Sequence, residues 1–153
     1  MEEVLGFDTR QFVVFGIGEE EYGVDIQKVT TIEQMRQITR VPKTPHYLKG
    51  VINLRGDIIP IVDLRKKFAL EEVEYTEDTR IIIFKLEDVF IGIIVDNVAE
   101  VIQLNDEDID SVTNLGNEIS SDYILGVGKI DQRIVTLLNI EKLTKLDNDD
   151  IGS

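Results

Sequence analysis

The sequence predicts an all-β protein with only short helices, arranged as two similar lobes. Three observations carry that expectation. Apolar residues come in short β-branched and aromatic runs, such as "QFVVFGI" (11–17) and "RIIIFKL" (80–86), rather than at helical spacing. The runs recur, so that one half of the chain can be laid on the other. Helix signals are confined to a few capped turns.

From the N-terminus, Gln11–Ile17 and "EYGVDI" (21–26) form a hairpin across an acidic link, and "DIQKV" (25–29) can make one helical turn. Thr44-Pro45 ahead of "HYLK", followed by Gly50, reads as cap, first-turn proline and terminating glycine of a short helix. "GVINLRGDIIPIVDL" (50–64) reads as a second hairpin closed by Gly56-Asp57, a loop of the Gly-X type. In that register Arg55 faces Ile58, Leu54 faces Ile59, Asn53 faces Pro60 and Ile52 faces Ile61. Ile52, Leu54, Ile59 and Ile61 then share an apolar face that must be core. Val51, Asn53, Arg55, Ile58, Pro60 and Val62 share a mixed face. Pro60 cannot donate to a ladder, so its strand is expected at an edge or a bulge. Asp63 caps "LRKKF".

The second half repeats the first. Arg80–Leu86 and "VFIGIIV" (89–95) form a hairpin, and "VDNVA" (95–99) is the matching one-turn link. Phe15 falls on Phe84, Gly23 on Gly92, Val29 on Val98 and Thr31 on Glu100, 69 residues on without a gap. "ILGVGKIDQRIVTLLNI" (124–140) repeats the second hairpin at an offset of 76, with Gly50 on Gly126, Ile58 on Ile134 and Asp63 on Asn139. Ile130, Val135 and Leu137 take one side of it, and Lys129, Asp131 and Thr136 the other. The seven extra residues fit between Asp106 and Ser121, and Asn139 caps "IEKLTKL". The copies span about 10–68 and 79–146 and make a single domain of two interlocked lobes; the tail 147–153, "DNDDIGS", is expected to fray. A lobe of this size buries only ~60% of its unfolded surface, so the two are expected to pack together or exchange strands.

Composition narrows the function. Thirty acids against 16 Lys and Arg leave a net charge of −14, which argues against nucleic acid and against anionic membranes as partners. The acidic runs Glu19–Glu21, Glu71–Asp78, Asp106–Asp110 and Asp147–Asp150 fall between apolar runs, where solvated loops belong. Without cysteine there is no disulfide and no thiolate metal site. The acidic start "MEEVLGFDTR" lacks the apolar region of a secretory signal, and no apolar run nears the ~18 residues of a membrane span. The expectation is a soluble, intracellular protein.

No catalytic constellation emerges. His46, the one histidine, has no nucleophile or orienting partner nearby and reads as a surface residue. "GVGKI" (126–130) fails the phosphate-loop pattern at Tyr123 and at Ile130. Asp106, Asp108 and Asp110 alternate like a calcium loop, but Ser111 and Asn117 stand where its Gly and Glu belong. The remaining acids lie in loops, and there is no Trp to form a sugar platform. An interaction module fits these features best.

"GVINLRGDIIPIVDLRKKF", "IGIIVDNVAEV" and "ILGVGKIDQRIVTLLNIEKL" resemble the CheW family of chemotaxis coupling proteins, and "FVVFGIGEEEYGVDIQKV" and "ITRVPKTPHYLKG" fit the same pattern. The resemblance covers roughly Arg10 to Leu146. It implies two packed SH3-like five-stranded β barrels and a cytoplasmic adaptor without enzymatic activity or cofactor, recruited to membrane receptor arrays. The implied partners are the cytoplasmic tip of a chemoreceptor (a methyl-accepting chemotaxis protein) and the regulatory domain of the histidine kinase CheA. The resemblance implies that receptors dock in the groove between the barrels, at Val29, Thr31, Ile32, Gly50, Arg55 and Val98, while the kinase uses barrel ends. Gly50 and Arg55 match the family's functional Gly and the Arg of its "NLRG" motif. The family's V-x-E-I pattern, whose Glu is linked to that Arg, reads Val29-Thr30-Thr31-Ile32 here; the second copy keeps it as Val98-Ala99-Glu100-Val101. Glu33, on the same strand face as Thr31, is one alternative partner for Arg55; an acidic group on another protein is the other.

Two further readings stand beside this one. The coupling domain of a CheV-like protein, or a kinase regulatory domain, would share the fold. The chain carries no receiver-like or kinase-like segment, so a standalone adaptor is expected. A small-ligand-binding or hydrolytic β barrel is the alternative of a different class.

Overall fold

The computed structural model describes residues 9–110 and 121–145. The chain runs β1 (Thr9–Ile17), β2 (Glu20–Asp25), β3 (Val29–Gln34), β4 (Leu48–Leu54), β5 (Asp57–Asp63), helix α1 (Leu64–Lys67), β6 (Arg80–Leu86), β7 (Val89–Val95), β8 (Asn97–Asn105), β9 (Ile109–Asp110), β10 (Ile124–Ile130), β11 (Arg133–Leu138) and helix α2 (Ile140–Leu143). The expected tail lies outside the described residues.

The strands join two sheets, ordered β8-β1-β2-β11-β10-β9 and β3-β6-β7-β5-β4. The first hairpin of each half is built into the sheet of the other half. Thus β1–β2 lies between β8 and β11, and β6–β7 lies between β3 and β5. Each inserted hairpin has one antiparallel neighbour and one short parallel one: β2 meets β11 at Tyr22–Thr136 and Gly23–Leu137, and β7 meets β5 at Gly92–Ile61 through Ile94–Asp63. The repeated glycines mark these crossings, since a Cβ on Gly92 would sit 2.7 Å from Ile61 Cδ1 and one on Gly23 3.0 Å from Leu137 Cδ2. The sixth strand of the larger sheet is the two-residue β9, whose counterpart in the other sheet is the single bridge Thr39–Val51.

Alternation along these strands feeds three apolar clusters. Phe12 and Val14 of β1 join Ile102, Leu104, Val135 and Leu137 inside one sheet. Ile81 and Ile83 of β6 join Ile52, Leu54, Ile59 and Ile61 inside the other. The opposite faces, including Val13, Phe15, Ile17, Val62, Ile82, Phe84 and Ile93, form the largest cluster, between the sheets. Strands buried on both faces read as continuous apolar runs, which is why "FVVF" and "IIIF" show no polar alternation. The expected core residues Ile52, Leu54, Ile59 and Ile61 are all buried.

Several local expectations are corrected. The hairpin after β4 pairs Leu54 with Asp57, Asn53 with Ile58 and Ile52 with Ile59, so its turn is Arg55-Gly56 and not Gly56-Asp57. Both turn residues have positive φ, 54° at Arg55 and 92° at Gly56, the pair of values a type I′ turn needs to match strand twist. Asn53 Oδ1 accepts the Gly56 N–H at 3.0 Å and holds the turn in place. The slip of the turn leaves the apolar face unchanged, because it moves the pairing by two positions. The second copy does the same, closing Ile130 onto Arg133 through Asp131-Gln132.

The helix expected over Pro45–Lys49 is a single turn, with the Leu48 N–H on the Pro45 carbonyl at 3.0 Å. Burial of Tyr47 and entry into β4 at Leu48 end it. Gly50 is inside the strand, not a helix terminator. A Cβ there would collide with the Thr39 carbonyl oxygen and lie 2.8 Å from Ile38 Cγ2, so glycine is what lets residue 39 bridge Val51. Asp25 caps its expected turn, accepting the Gln27 N–H at 2.9 Å. The matching "VDNVA" stretch makes no turn, because Asp96 spends its carboxylate on Gly18 and Arg65 instead.

Pro60 stands opposite Val51, whose N–H and carbonyl both turn away to Thr39. Pairing of β5 with β7 starts only at Ile61. The missing donor therefore faces an unpaired margin, although β5 is internal in the sheet order. The irregularity lies in its neighbour, between Leu48 and Gly50.

Candidate functional site

Val29 is the first residue of the outer strand β3 and Val98 the second of the outer strand β8, one strand at the end of each sheet. Each pairs with a fully buried phenylalanine, Val29 with Phe84 and Val98 with Phe15. Both are half-buried and pack on the central cluster beside Ile26, Tyr123 and Ile124. The two valines thus sit on the margin of the core shared by the two sheets. Both strands carry a bulge at the next residue: Val29 and Thr31 face consecutive residues of β6, leaving Thr30 extra, and Ala99 is extra in β8. Such bulges twist an outer strand and stop it from templating further strands.

Beyond the bulge, β3 alternates between half-buried Thr31 and Glu33 and exposed Thr30, Ile32 and Gln34. Ile32 is 39% exposed and its repeat partner Val101 is 48% exposed, so an apolar side chain faces solvent at matched places on both outer strands. These positions are too sparse to show an apolar run in the sequence. The resemblance already implied Ile32, whereas Val101 was not named as a contact, and the signal that could have found it is the repeat itself.

Gly50 and Arg55 belong to the opposite end of the sheet order, on β4 and its turn. Gly50 is buried against Thr39 and serves backbone approach rather than contact. Arg55 is exposed at the hairpin tip, not on a strand face. Pairing of Glu33 with Arg55 does not occur: Glu33 accepts from Arg36 Nη2 at 3.0 Å and from Thr31 Oγ1 at 2.9 Å. Arg55 has no carboxylate partner among the described residues. In the second copy the retained Glu100 does meet an arginine. Arg133 Nη1 donates to Glu100 Oε2 at 2.6 Å, while its Nε and Nη2 grip Glu21 at 3.1 and 3.2 Å. These hydrogen bonds, first to Glu21 and then to Glu100, raise Arg133 above its ordinary pKa.

Two ion pairs tie the helices to the links between sheets, and sequence reasoning missed both. Arg65 of α1 holds Asp96, in the bend between β7 and β8, and Lys28, in the link before β3, holds Glu141 of α2 at 3.4 Å. The repeat superposes Arg65 on Glu141, so the second pair carries the reversed sign. His46 is exposed, with Nε2 3.3 Å from the Lys66 carbonyl. Among the described residues no three His, Asp or Glu side chains gather as metal ligands. No described helix is long and apolar enough to cross a membrane.

Comparison with known proteins places this geometry. The family model for the CheW-like domain matches residues 11–147. A chemotaxis protein CheW from Klebsiella aerogenes is 42% identical over 134 residues, 88% of this chain and 81% of that protein. One from Helicobacter pylori is 38% identical over 146 residues, 95% of this chain and 85% of that protein. The crystal structure of scaffolding protein TtCheW from Thermoanaerobacter tengcongensis superposes with a TM-score of 0.84 at 34% identity, covering 90% of this chain and 94% of that one.

Proposed function

The chain belongs to the CheW-like family, and on that premise we propose that it is a chemotaxis adaptor that couples chemoreceptors to a histidine kinase. The observation that carries the reading is the family match across residues 11–147, joined to relatives named as chemotaxis proteins. The adaptor has no enzymatic activity and works in the cytoplasm, where receptor arrays recruit it. Its partners are the cytoplasmic tip of a methyl-accepting chemotaxis protein and the regulatory domain of the kinase CheA.

The receptor tip docks along the margin where Val29 and Val98 flank the shared core, with Thr31 and Ile32 extending the contact along β3. Support comes from the exposed Ile32 on an outer strand whose bulge leaves it without a further partner strand. Gly50 contributes by shape, holding residue 39 against β4. Arg55 presents a guanidinium at the hairpin tip, whose fixed donors suit a carboxylate on a partner. The exposed Ile58 and Ile134, at matched positions of the two second hairpins, offer apolar side chains for kinase contacts.

A pull-down with the cognate kinase and a receptor signalling fragment tests the reading. Retention of the kinase by receptor only when this chain is present supports it. Kinase–receptor assembly indifferent to the chain would refute it.

A further inference from the structure

The cations of this protein are unevenly placed. Eight of the 16 Lys and Arg fall within residues 36–67, a stretch holding only two of the 30 acids. The fold gathers five basic side chains of that stretch around one cleft of about 350 Å³: Arg40, Lys43 and His46 from the segment before β4, Lys49 from β4 and Lys66 from α1. No carboxylate lines it. With such an excess of acids, neutralisation from within would be easy, yet among the described residues only Lys66 is paired, to the exposed Glu72 at 3.4 Å. Arg40 and Lys43 form no ion pair among the described residues, and Lys49 engages Tyr75, with its amine 5.5 Å from the ring centroid and acting on the hydroxyl.

The wall is also shaped. Lys43 takes a left-handed φ of 63°, a conformation that costs a non-glycine residue energy and clusters at functional sites. Thr44 Oγ1 donates to the Val41 carbonyl at 2.9 Å and tightens the same loop. A carbonyl can only accept, so the His46 Nε2 that touches the Lys66 carbonyl carries the proton, and Nδ1 is left for another partner.

A cleft walled by one sign of charge focuses its field and concentrates ions of the other sign. Lys and Arg converging from three elements are a common way of holding phosphate oxygens. The volume suits a compact ligand rather than a peptide or a helix. We propose that this cleft binds a phosphate-bearing anion, either a soluble phosphate compound or the phosphate of a lipid headgroup.

Pyrophosphate titrated into the full chain by calorimetry at low salt is the first probe. Vesicles of phosphatidylcholine with and without phosphatidylglycerol are the second. Saturable binding of pyrophosphate alone identifies a soluble ligand; sedimentation with phosphatidylglycerol vesicles identifies a lipid phosphate. In either case Lys43→Gln with Lys49→Gln should weaken binding roughly tenfold or more, as expected for lost charge-assisted hydrogen bonds. Lys129→Gln on β10, whose amine is paired with Asp110 at 3.0 Å, should leave it unchanged. Thermal melts check that the double variant is folded, and Lys66→Gln replaces it if it is not. Absence of saturation with both probes, or an equal loss with Lys129→Gln, overturns the proposal. So does a Glu-rich peptide that binds the cleft more tightly than pyrophosphate.

Discussion

Arg65 Nη2 lies 2.6 Å from Asp96 Oδ2, joining α1 to the bend where the chain leaves one sheet for the other. Asp96 Oδ2 also accepts the Gly18 N–H at 2.7 Å, so three separate segments meet on one carboxylate. Burial alone would push this carboxyl up, but the hydrogen bonds from Arg65 and Gly18 outweigh it and hold it below its ordinary value. Both side chains are less than a third exposed, at 16% and 28%. Asp96→Asn should therefore cost about 1–2 kcal/mol at neutral pH, a charged hydrogen bond discounted for partial solvation. A carboxylate with a depressed folded pKa stabilises fully above its unfolded value near ~3.9 and loses that contribution as pH falls through the folded one. Urea melts of the two proteins should differ at pH 7 and converge in strong acid. A constant difference across that range would remove the ion pair from the account.

Gly50→Ala should destabilise the protein by about 1–3 kcal/mol, because the methyl must displace the Thr39 backbone. Gly56→Ala has open space around it, but its φ of 92° penalises any side chain. The two changes separate by hydrogen exchange. Only the first should expose the Thr39 and Val51 amides, which bond each other's carbonyls at 2.9 and 2.8 Å.

Arg55 occupies a left-handed position that glycine would take without strain. Arg55→Gly should raise stability slightly, by up to about 1 kcal/mol, while Arg55→Ala should leave the melting temperature nearly unchanged. Both should weaken assembly with receptor and kinase by ~1–3 kcal/mol if a charged hydrogen bond is lost. Binding titrations beside thermal melts distinguish the effects. Full affinity in both variants would leave Arg55 as a turn residue only.

Ile32→Glu tests the docking margin with little risk to the fold, since the side chain is already 39% exposed. Receptor-fragment affinity should fall roughly tenfold or more, as for charge placed in an apolar contact, with a change in stability under about 0.5 kcal/mol. Val29→Glu should give the same loss of binding with a larger drop in melting temperature, because Val29 packs on the central cluster. Unchanged affinity in both would move docking off β3.

Tyr47 is buried, and its hydroxyl has no hydrogen-bond partner among the described residues. Lys67 Nζ lies 3.7 Å from the ring centroid, so the ring itself is engaged. Tyr47→Phe should keep that contact, remove the orphan and raise stability by up to about 1 kcal/mol in urea melts. A loss of more than that amount would reveal a partner for the hydroxyl.

Much of the architecture was readable because the same physics acts twice. Gly23 and Gly92 are glycine for one reason, the side chain of a parallel neighbour lying where their Cβ would be. Asp63 and Asn139 cap helices in the same way, each accepting a backbone N–H of the first turn. The hairpin turn was misread because "GD" and "RG" are both acceptable turn pairs. What decides between them is the Asn53 side chain reaching the Gly56 N–H, a contact spanning three residues. The Glu33 pairing failed because Arg36, one helical turn's distance away in sequence, reaches Glu33 first. Nothing local announces Arg65–Asp96, whose partners are 31 residues apart.

The exchange of hairpins between sheets bears on how the chain is made. β1 must wait for β8, and β2 for β11, so each strand of the first hairpin pairs with a segment synthesised much later than itself. Such long-range pairing is slow and leaves strand edges open while the rest is made. The apolar faces of "FVVF" stay uncovered through that interval beside the acidic link Glu19–Glu21, but residues 1–70 hold ten acids against ten Lys and Arg, so the net charge of −14 accumulates only over the second half. Charge repulsion between copies thus arrives together with the strands that cover the first hairpin, and before then only the local acidic link shields it.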